Sequence, residues 1–325
     1  MEATGHSGDR MSKLSLVVAA YNEEENLPGL YERIVRMDWR TLDVEIELIF
    51  VDDHSRDHTP QVLRDLAARD ERVKWLRFSR NFGSHKAFTA GLEHATGDAA
   101  VILAADLQDP PETVPQLLEQ WRAGSKVVWA VRGEREGETF ATRLLSRFYY
   151  WLMRRYAVAD MPETGADFLL MDRVVLDALR AAPERNTSLL ALVQWMGFAQ
   201  AQITYVKAAR QAGVSKWTFS RRLKLAVDSF VSFSYAPIRM MSGFGFLFAA
   251  LGFLYAVFLV VRRIAYGAPA EGWTSLICVV LVVSGVQLIM LGVLGEYLWR
   301  TFDESRRRPR YLIESSHGIS RTPPA

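Results

Sequence analysis

Two acids and an amide follow an apolar run at a position where α/β proteins often bind ligands. Residues 101–104 are all apolar, which predicts a strand buried on both faces of a parallel sheet. Asp106, Gln108 and Asp109 come next, and two prolines then prevent further strand. Open α/β sheets bind ligands at the carboxyl ends of their strands. Oxygen ligands there suit Mg²⁺ or Mn²⁺ held partly by a diphosphate, although an ordinary polar loop is the alternative.

Three further polar loops fall at the same edge of the predicted sheet. The first loop offers an aromatic ring that could stack on a nucleotide base and a carboxylate that could accept a hydrogen bond from the ribose or the base. The second offers a pair of acids, and the third offers cations beside a helix amino end, which suits a diphosphate. Each loop alone could instead be an acid-rich helix start, a turn-forming Asp pair or a surface turn. The residues are, in chain order, Tyr21 and Glu23, Asp52 and Asp53, and Arg80 and Lys86.

The elements that would position these loops recur at a regular spacing. Strand signals appear roughly every thirty residues, the spacing of βαβ units with helices between parallel strands. Thr59 and Pro60 indicate a helix cap and first turn, and Ser84 begins a helix that Gly97 should end. The pattern predicts a doubly wound α/β fold. Because no Gly-x-Gly-x-x-Gly motif follows the first strand, a dinucleotide-binding site is not expected. The predicted strands are 14–20, 46–51, 73–78, 101–104 and 127–131.

The pattern is less regular after the fifth strand. Residues 140–156 predict an amphipathic helix with flanking arginines, lying either on a membrane surface or on the sheet. Asp167 should begin another buried strand, and Asp172 should cap the helix after it. Residues 204–206 resemble a last edge strand. The loop at 210–217 carries a glycine with Ser215 and Lys216, and it could also be a plain linker.

Two uncharged segments predict a membrane hairpin. No charged residue occurs from 240 to 261 or from 272 to 295, and each segment spans roughly 33–36 Å as a helix. Residues 221–236 predict an interfacial helix before them. Basic residues are most numerous outside the hairpin, which places both termini in the cytoplasm. They are Arg210, Lys216, Arg221, Arg222, Lys224, Arg239, Arg300, Arg306, Arg307, Arg308 and Arg310.

Composition limits the other function classes. The net charge is +2, so nucleic acid is not expected as a partner. The single cysteine, Cys278, lies in an apolar run, which excludes a disulfide framework and fits a reducing compartment. We expect a flexible leader at 1–12, an α/β domain at 13–218, an interfacial helix at 219–238, two membrane helices at 239–300 and a cytoplasmic tail at 301–325.

An ordered set of motifs resembles one enzyme family. From about residue 15 to 310 the chain resembles the polyisoprenyl-phosphate hexosyltransferases of glycosyltransferase family 2, which include dolichyl-phosphate mannose synthases and bactoprenol glucosyltransferases. Two positions depart from the family pattern: Ala104 stands where an Asp is usual, and Ala19 where a Pro is usual. The first departure bears on metal affinity and the second only on a turn. The motifs are Ala-Tyr-Asn-Glu-Glu-Glu-Asn (20–26), Val-Asp-Asp-His-Ser (51–55), Arg-Asn-Phe-Gly (80–83), Ala-Asp-Leu-Gln-Asp-Pro-Pro-Glu (105–112), Ala-Gly-Val-Ser-Lys (212–216) and Gly-Glu-Tyr (295–297).

The resemblance implies a GT-A type domain and a reaction. The implied reaction is inverting transfer of a hexose from a nucleotide sugar, UDP-glucose or a related UDP-sugar, to undecaprenyl or another polyprenyl phosphate. It would occur at the cytoplasmic face of the inner membrane, in a homo-oligomer, for cell-envelope glycan or lipopolysaccharide modification. A lipid phosphate is mostly dianionic at pH 7, so a strong general base is not required.

The resemblance also implies roles for residues. Asp52 or Asp53 would accept the uracil N3–H, and Asp106 and Gln108 would hold Mg²⁺ or Mn²⁺. Ala105, Ser215 and Lys216 would join the donor site, the last two on a mobile loop. Asp106, Asp167 and Arg143 would be the catalytic residues, with Asp167 near the acceptor. The acceptor phosphate would meet Arg132, Arg143, Arg147 and Arg210.

Two other classes of protein stay open. A membrane-anchored sugar-nucleotide binder with reduced or lost catalysis is suggested by Ala104. A processive polysaccharide synthase would carry a Gln/Arg-x-x-Arg-Trp element and more spanning helices, and the sequence has neither.

The acceptor role of two arginines can be tested with one substitution. Arg143 and Arg147 are four residues apart and would share a helix face. Arg binds phosphate in a bidentate fashion that Lys does not reproduce. Arg143→Lys should therefore raise KM for lipid phosphate with little change in KM for the nucleotide sugar. If these arginines instead pair with Glu134 or Glu138, the melting temperature should fall and both KM values should change alike. An unchanged lipid KM in Arg143→Lys and in Arg147→Lys would exclude the acceptor role.

Overall fold

Eight strands of the described residues form one mixed, mostly parallel sheet. The computed structural model describes residues 11–133, 168–182, 188–206, 236–266 and 272–320. The sheet order is β7-β5-β6-β4-β1-β2-β3-β8. The strands are β1 (Ser12–Ala20), β2 (Val44–Asp52), β3 (Val73–Phe78), β4 (Ala99–Ala104), β5 (Val127–Arg132), β6 (Phe168–Asp172), β7 (Gln200–Tyr205) and β8 (Ile313–His317).

Helices follow most of the strands along the chain, as the βαβ spacing predicted. A single 3-10 turn, Pro111–Thr113, precedes the fourth helix, with the proline in its first turn as expected. The helices are α1 (Leu27–Arg36), α2 (Thr59–Arg69), α3 (Ser84–His94), α4 (Val114–Arg122), α5 (Arg173–Ala181), α6 (Leu189–Trp195), α7 (Ala236–Tyr266) and α8 (Trp273–Ser305).

The core lies on both faces of the sheet. Successive residues of β1 belong to opposite faces: Leu16 and Val18 pack in one apolar cluster and Val17 packs in the other. All three are fully buried. A strand covered on both faces must be largely apolar, which is why β4 and residues 16–20 of β1 appear in the sequence as unbroken apolar runs. The predicted doubly wound α/β sheet of GT-A type is thereby confirmed.

Several element boundaries differ from the sequence prediction. Thr59 is the first residue of α2, with His58 at the cap position, so Thr59 is not the cap itself. Gly97 does not end α3, which stops at His94 with Ala95 as its cap. Strand β7 begins at Gln200, before the predicted 204–206.

The region between β4 and β5 contains an antiparallel strand. β6 pairs antiparallel with both of these neighbours, at Leu170 with Val101 and Val128. Asp172 then caps α5 as predicted, because its carboxylate accepts the backbone N–H of Val174 at 3.0 Å. The predicted helix at 140–156, Asp167 and the segment 207–235 lie outside the described residues.

Two long apolar helices confirm that the chain carries the elements of a hairpin. By length and composition, Ile238–Ala265 and Val282–Ser305 could each cross a membrane, and their most apolar windows are not buried. The helices lie against each other near Gly245 and Met290. Helix α8 runs to Ser305, beyond the uncharged segment that ends at residue 295.

The strand β8 was not predicted from the sequence. It pairs antiparallel with β3 at the edge of the sheet, with Trp75 opposite His317 and Arg77 opposite Ser315. The chain therefore returns from the last apolar helix to the soluble sheet.

Gly97 is required where the chain passes close to β1. A Cβ atom there would lie 2.7 Å from the carbonyl oxygens of Lys13 and Ala99, which belong to the backbone and cannot move aside. Gly97→Ala should therefore lower the free energy of unfolding by about 1–3 kcal/mol, as overpacking does. Gly29→Ala in α1 is the control, because the new Cβ would meet only Leu107, at an ordinary contact distance of 3.8 Å. Replacing this glycine should stabilise the helix by up to about 1 kcal/mol. Denaturant melts of both variants measure the difference, and a wild-type value for Gly97→Ala would contradict the close approach.

Candidate functional site

The carboxyl ends of four parallel strands lie in line at one edge of the sheet. Ala20 at the end of β1 is in register with Asp52 of β2, and Asp52 is in register with Arg77 of β3. On the other side, Ala19 is in register with Ala104 at the end of β4. The four predicted loops therefore leave the sheet side by side, which brings their polar residues together.

The loops after β1 and β2 are hydrogen bonded to each other. The backbone N–H of Asn22 donates to Ser55 Oγ at 2.9 Å, and that of Arg56 donates to Asn22 Oδ1 at 2.8 Å. The N–H of Glu23 donates to Thr59 Oγ1 at 2.9 Å. Asn22 has a φ of 54°, a left-handed conformation that Asn tolerates better than most residues. The half-buried Tyr21 is thus carried on a turn fixed from two sides.

Asp52 is buried and holds its own loop. One carboxylate oxygen accepts the N–H of Ser55 at 2.8 Å, and the other accepts from Nη1 of Arg77 at 2.7 Å. The side chain is fully buried. Asp52 therefore shapes the turn after β2, which the sequence offered as the alternative to ligand binding, and it also pairs with an arginine that the sequence did not indicate.

Asp53 fixes the loop after β3. Its carboxylate accepts two backbone N–H groups, that of Phe82 at 2.6 Å and that of Gly83 at 2.8 Å. Burial raises the pKa of this carboxyl to about 6, and the two amide hydrogen bonds only partly oppose the rise. Gly83 has a φ of 95° immediately before α3, so this loop depends on both a glycine and a buried acid.

Two cations surround the ring of Phe82 at the amino end of α3. The guanidinium carbon of Arg80 lies 4.2 Å from the ring centroid, and Lys86 Nζ lies 6.0 Å from it. Burial, and next the charge of Arg80, lower the pKa of Lys86. Cations beside a helix amino end form a suitable site for a diphosphate. Arg80 and Lys86 could be recognised in the sequence, but their shared contact with the Phe82 ring could not, because a cation–π contact leaves no spacing signal.

The loop after β4 presents the two predicted metal ligands. The N–H of Gln108 donates to Asp106 Oδ1 at 3.2 Å, which places these residues beside each other. Leu107, between them, has a φ of 60° and a buried side chain, whereas Asp106 and Gln108 are half-buried. Ala105 is buried behind them. The turn thus inserts one apolar side chain into the core and leaves two polar ones near the sheet edge.

These residues fit a metal that is shared with a substrate. No group of three or more His, Cys, Asp or Glu that could hold a metal occurs in the part of the chain that the structure describes. Mg²⁺ is commonly held by one or two carboxylates together with substrate phosphates and water. Asp106 with Gln108 matches that pattern, and Ala104 contributes no ligand atom.

Asp109 was seen in the sequence but not assigned to the site. It is fully buried, and its Oδ1 accepts the hydroxyl of Tyr205 at 2.6 Å. The bond joins the loop after β4 to the last residue of β7, just before the segment that includes Ser215 and Lys216. Only the folded sheet brings these partners together.

Several predicted residues are not placed by the structure. Arg132 ends β5 with its backbone in register with Tyr205, and its side chain is not described. The remaining ones, Arg143, Arg147, Asp167, Arg210, Ser215 and Lys216, lie outside the described residues.

Comparisons with known proteins agree on one family. The family model described as Glycosyl transferase family 2 matches residues 15–177. The chain is 40% identical over 310 residues to an uncharacterized glycosyltransferase, YkcC, of Bacillus subtilis, covering 95% of this chain and 96% of that one. It is 38% identical over 305 residues to the SfII prophage-derived bactoprenol glucosyl transferase of Shigella flexneri, covering 94% and 98%. Among solved structures, Mannosyltransferase PcManGT from Pyrobaculum calidifontis, in complex with GDP-Man and Mn²⁺, matches with a TM-score of 0.48 and 18% identity, covering 90% and 88%.

The raised pKa of Asp53 predicts a pH dependence of stability. Between its ordinary value of about 4 and the folded-state value of about 6, the folded protein binds more protons at this site than the unfolded chain. The contribution of Asp53 to the free energy of unfolding should therefore decrease as pH rises through this window. The change in melting temperature on going from about pH 5 to about pH 7 should be less negative, or more positive, in Asp53→Asn than in wild type, because the variant lacks this loss of stability. Asp65→Asn, which removes an exposed carboxylate on α2, is the control, and an identical pH response in Asp53→Asn and wild type would contradict the assignment.

Proposed function

Because the chain belongs to glycosyl transferase family 2, we propose that it transfers a hexose from a nucleotide sugar to a polyprenyl phosphate at a membrane. Membership confirms the family resemblance seen in the sequence and the assignment as a glycosyltransferase. The observation that carries the acceptor is the match to bactoprenol glucosyl transferases, which extends over nearly the whole chain and so includes α7 and α8. A soluble sheet joined to two apolar helices suits an acceptor whose tail stays in lipid.

The donor is proposed to be UDP-glucose or a related UDP-sugar bound at the common sheet edge. Tyr21 would stack on the base, and the loop of Asp52 and Asp53 would contact the uracil or ribose. Arg80, Lys86 and the amino end of α3 would bind the diphosphate. The contacts of Phe82 with both cations restrict their side chains before substrate arrives, so less ordering is needed on binding.

The metal is proposed to be Mg²⁺ or Mn²⁺, with Asp106 and Gln108 as its protein ligands. When bound, such an ion neutralises the charge that develops on the departing nucleotide diphosphate. The protein's own part is to hold the two ligands on a fixed turn: Leu107 anchors the turn in the core, and Asp109 ties it to Tyr205. Positioning and charge stabilisation are the main sources of catalysis when the nucleophile is already charged.

The acceptor phosphate is proposed to attack the anomeric carbon directly. One phosphate oxygen forms a bond to that carbon as the bond to the donor diphosphate breaks, and the configuration inverts. The phosphate is mostly dianionic at pH 7, so no side chain must remove a proton. We propose Arg132, Arg143, Arg147 and Arg210 as acceptor contacts, Asp167 as a neighbour of the acceptor, and a closing role for Ser215 and Lys216.

The membrane arrangement is also part of the proposal. Helices α7 and α8 would cross the inner membrane, with the soluble sheet and both termini in the cytoplasm, where nucleotide sugars are present. The basic residues outside the hairpin support this orientation. A homo-oligomer is proposed on the family resemblance alone.

A second candidate function rests on Ala104. The structure has no carboxylate at the end of β4, where the family usually has one, and the neighbouring strand carries Ala19. A protein with weakened metal binding could retain a nucleotide sugar without turning it over. This alternative is a membrane-anchored sugar-nucleotide binder.

One assay separates the two functions. The full chain, purified in detergent, is incubated with radiolabelled UDP-sugars and undecaprenyl phosphate, and label in the lipid fraction is counted. The proposal expects transfer from one of these sugars, with UDP-glucose the first to test. Binding of UDP without transfer from any sugar would favour the binder and contradict the enzyme.

Metal dependence through Asp106 gives a quantitative test. Asp106→Asn keeps the shape of the side chain and the hydrogen-bond acceptor for the N–H of Gln108, but it removes the charge. The transfer rate should fall at least about 100-fold, the scale for losing one main electrostatic stabiliser, and EDTA should abolish wild-type activity. Asp65→Asn is the matched control on an exposed helix face and should keep the wild-type rate. A wild-type rate in Asp106→Asn, or insensitivity to EDTA, would show that the metal assignment is wrong.

A further inference from the structure

Residues 310–312, just before β8, contact the same elements that carry the donor loops. Tyr311 stacks on Phe78 of β3 with ring centroids 5.1 Å apart, and its hydroxyl donates to Glu93 of α3. Arg310 forms an ion pair with the same Glu93 at 2.9 Å. The N–H of Ser79 donates to the carbonyl of Leu312 at 2.9 Å. The segment therefore bridges β3 and α3, the two elements on either side of the loop at 80–83.

A bulge in β8 directs one acid toward this edge. Arg77 is in register with Ser315 and Phe78 is in register with Ile313, so Glu314 is the extra residue between them. A bulge bends its strand and can redirect a side chain, and bulges often occur beside active sites. Here the side chain of Glu314 reaches Arg77, with Oε2 accepting from Nε at 2.9 Å.

Arg77 uses three different donor groups. Besides the bond to Glu314, its Nη1 donates to Asp52 Oδ2 at 2.7 Å and its Nη2 donates to the carbonyl of Ser55 at 3.2 Å. A guanidinium is a rigid planar fork, so fixing one donor restricts the direction of the others. Glu314 on one side and Asp52 on the other thus hold the guanidinium in a single orientation.

The orientation of Arg77 determines the position of the loop after β2. Asp52 is the last residue of β2 and the Ser55 carbonyl is in the loop that follows, and Ser55 Oγ accepts the N–H of Asn22 from the loop after β1. Asp52 is fully buried, and an ionised acid in such a place needs its cationic partner. The loops assigned to the base and ribose are therefore connected by hydrogen bonds to a residue near the C-terminus.

We propose that Glu314 is a positioning residue of the donor site, acting through Arg77 on Asp52 and the loop after β2. The inference rests on the proposed function for the identity of the donor. It adds that the segment after the membrane helices is part of the nucleotide-binding machinery, and that its effect is on nucleotide affinity and not on the chemical step.

The test measures UDP and GDP affinity by calorimetry and both KM values for transfer, using the full chain. Glu314→Ala should weaken binding of whichever nucleotide the wild type binds by about two- to fivefold, the scale of a partly exposed ion pair. Glu314→Gln should lower nucleotide affinity less than Glu314→Ala does, because the amide oxygen of Gln can still accept a hydrogen bond from Arg77 Nε. Arg77→Lys should lower nucleotide affinity about tenfold or more, since a single ammonium group cannot make all three contacts. KM for the lipid and kcat should stay within about twofold of wild type in the Glu314 variants.

The matched control is Glu32→Ala, which removes a Glu–Arg pair of similar length, Arg36 Nη2 to Glu32 Oε2 at 3.0 Å, on the exposed face of α1. It should leave nucleotide affinity unchanged. Unchanged affinity in Glu314→Ala would overturn the inference even if Arg77→Lys weakens binding, because Arg77 contacts Asp52 and Ser55 directly. So would a lowered melting temperature with equal changes in both KM values, because that pattern indicates a purely structural role. A wild type that binds UDP without transferring sugar contradicts the proposed function alone, and the affinity comparison still decides the inference.

Discussion

The parallel pairing of β1 with β2 and β4 is the constraint on which the site depends. Parallel strands in register end at one edge of the sheet. The pairing therefore brings the turns after these strands side by side, and the hydrogen bonds between the turns are not needed to bring them together. This pairing is stable only if both faces of the sheet are covered, and the two apolar clusters on either side of β1 provide that cover. The polar residues at the edge can then be held by buried acids, since Asp52 and Asp53 lie where the protein is already closely packed.

The sheet domain and the two long helices differ in where their apolar side chains lie. Residues 11–133 bury their apolar side chains in the sheet core, whereas the large apolar side chains of α7 and α8 are mostly exposed. Exposed apolar surface of this extent is unfavourable in water and favourable in lipid. The chain is therefore a family 2 glycosyltransferase with two helices that are long and apolar enough to cross a membrane, and the acceptor that we propose is one that both parts could reach.

Much of the fold and some of the site could be predicted from the sequence, and the physical reasons are specific. Strands β1 to β5 and the apolar helices follow from patterns of neighbouring residues, which sequence displays directly. Asp106, Gln108 and Arg80 could be named because each lies just after a predicted strand, and Lys86 because it lies in the first turn of the predicted helix that follows. The partners of Asp53 and Asp109 could not, since Phe82, Gly83 and Tyr205 come near only through the sheet. Gly97 was misinterpreted as a helix end because its close approach to Lys13 is a tertiary contact. Strand β8 is short and mostly polar, Ile-Glu-Ser-Ser-His, so it carries no strand pattern of its own and forms by pairing with β3.

The short connection between α8 and β8 limits how far the sheet can move from the apolar helices. Helix α8 ends at Ser305 and β8 begins at Ile313, and such a connection, even fully extended, reaches no more than about 30 Å. In the proposed membrane arrangement, the sheet edge beside β3 would be tethered at a nearly fixed height above the bilayer, with little freedom to tumble. The search for the proposed lipid acceptor would then take place by lateral diffusion in two dimensions, and the encounter rate would depend on the surface density of the lipid instead of its bulk concentration.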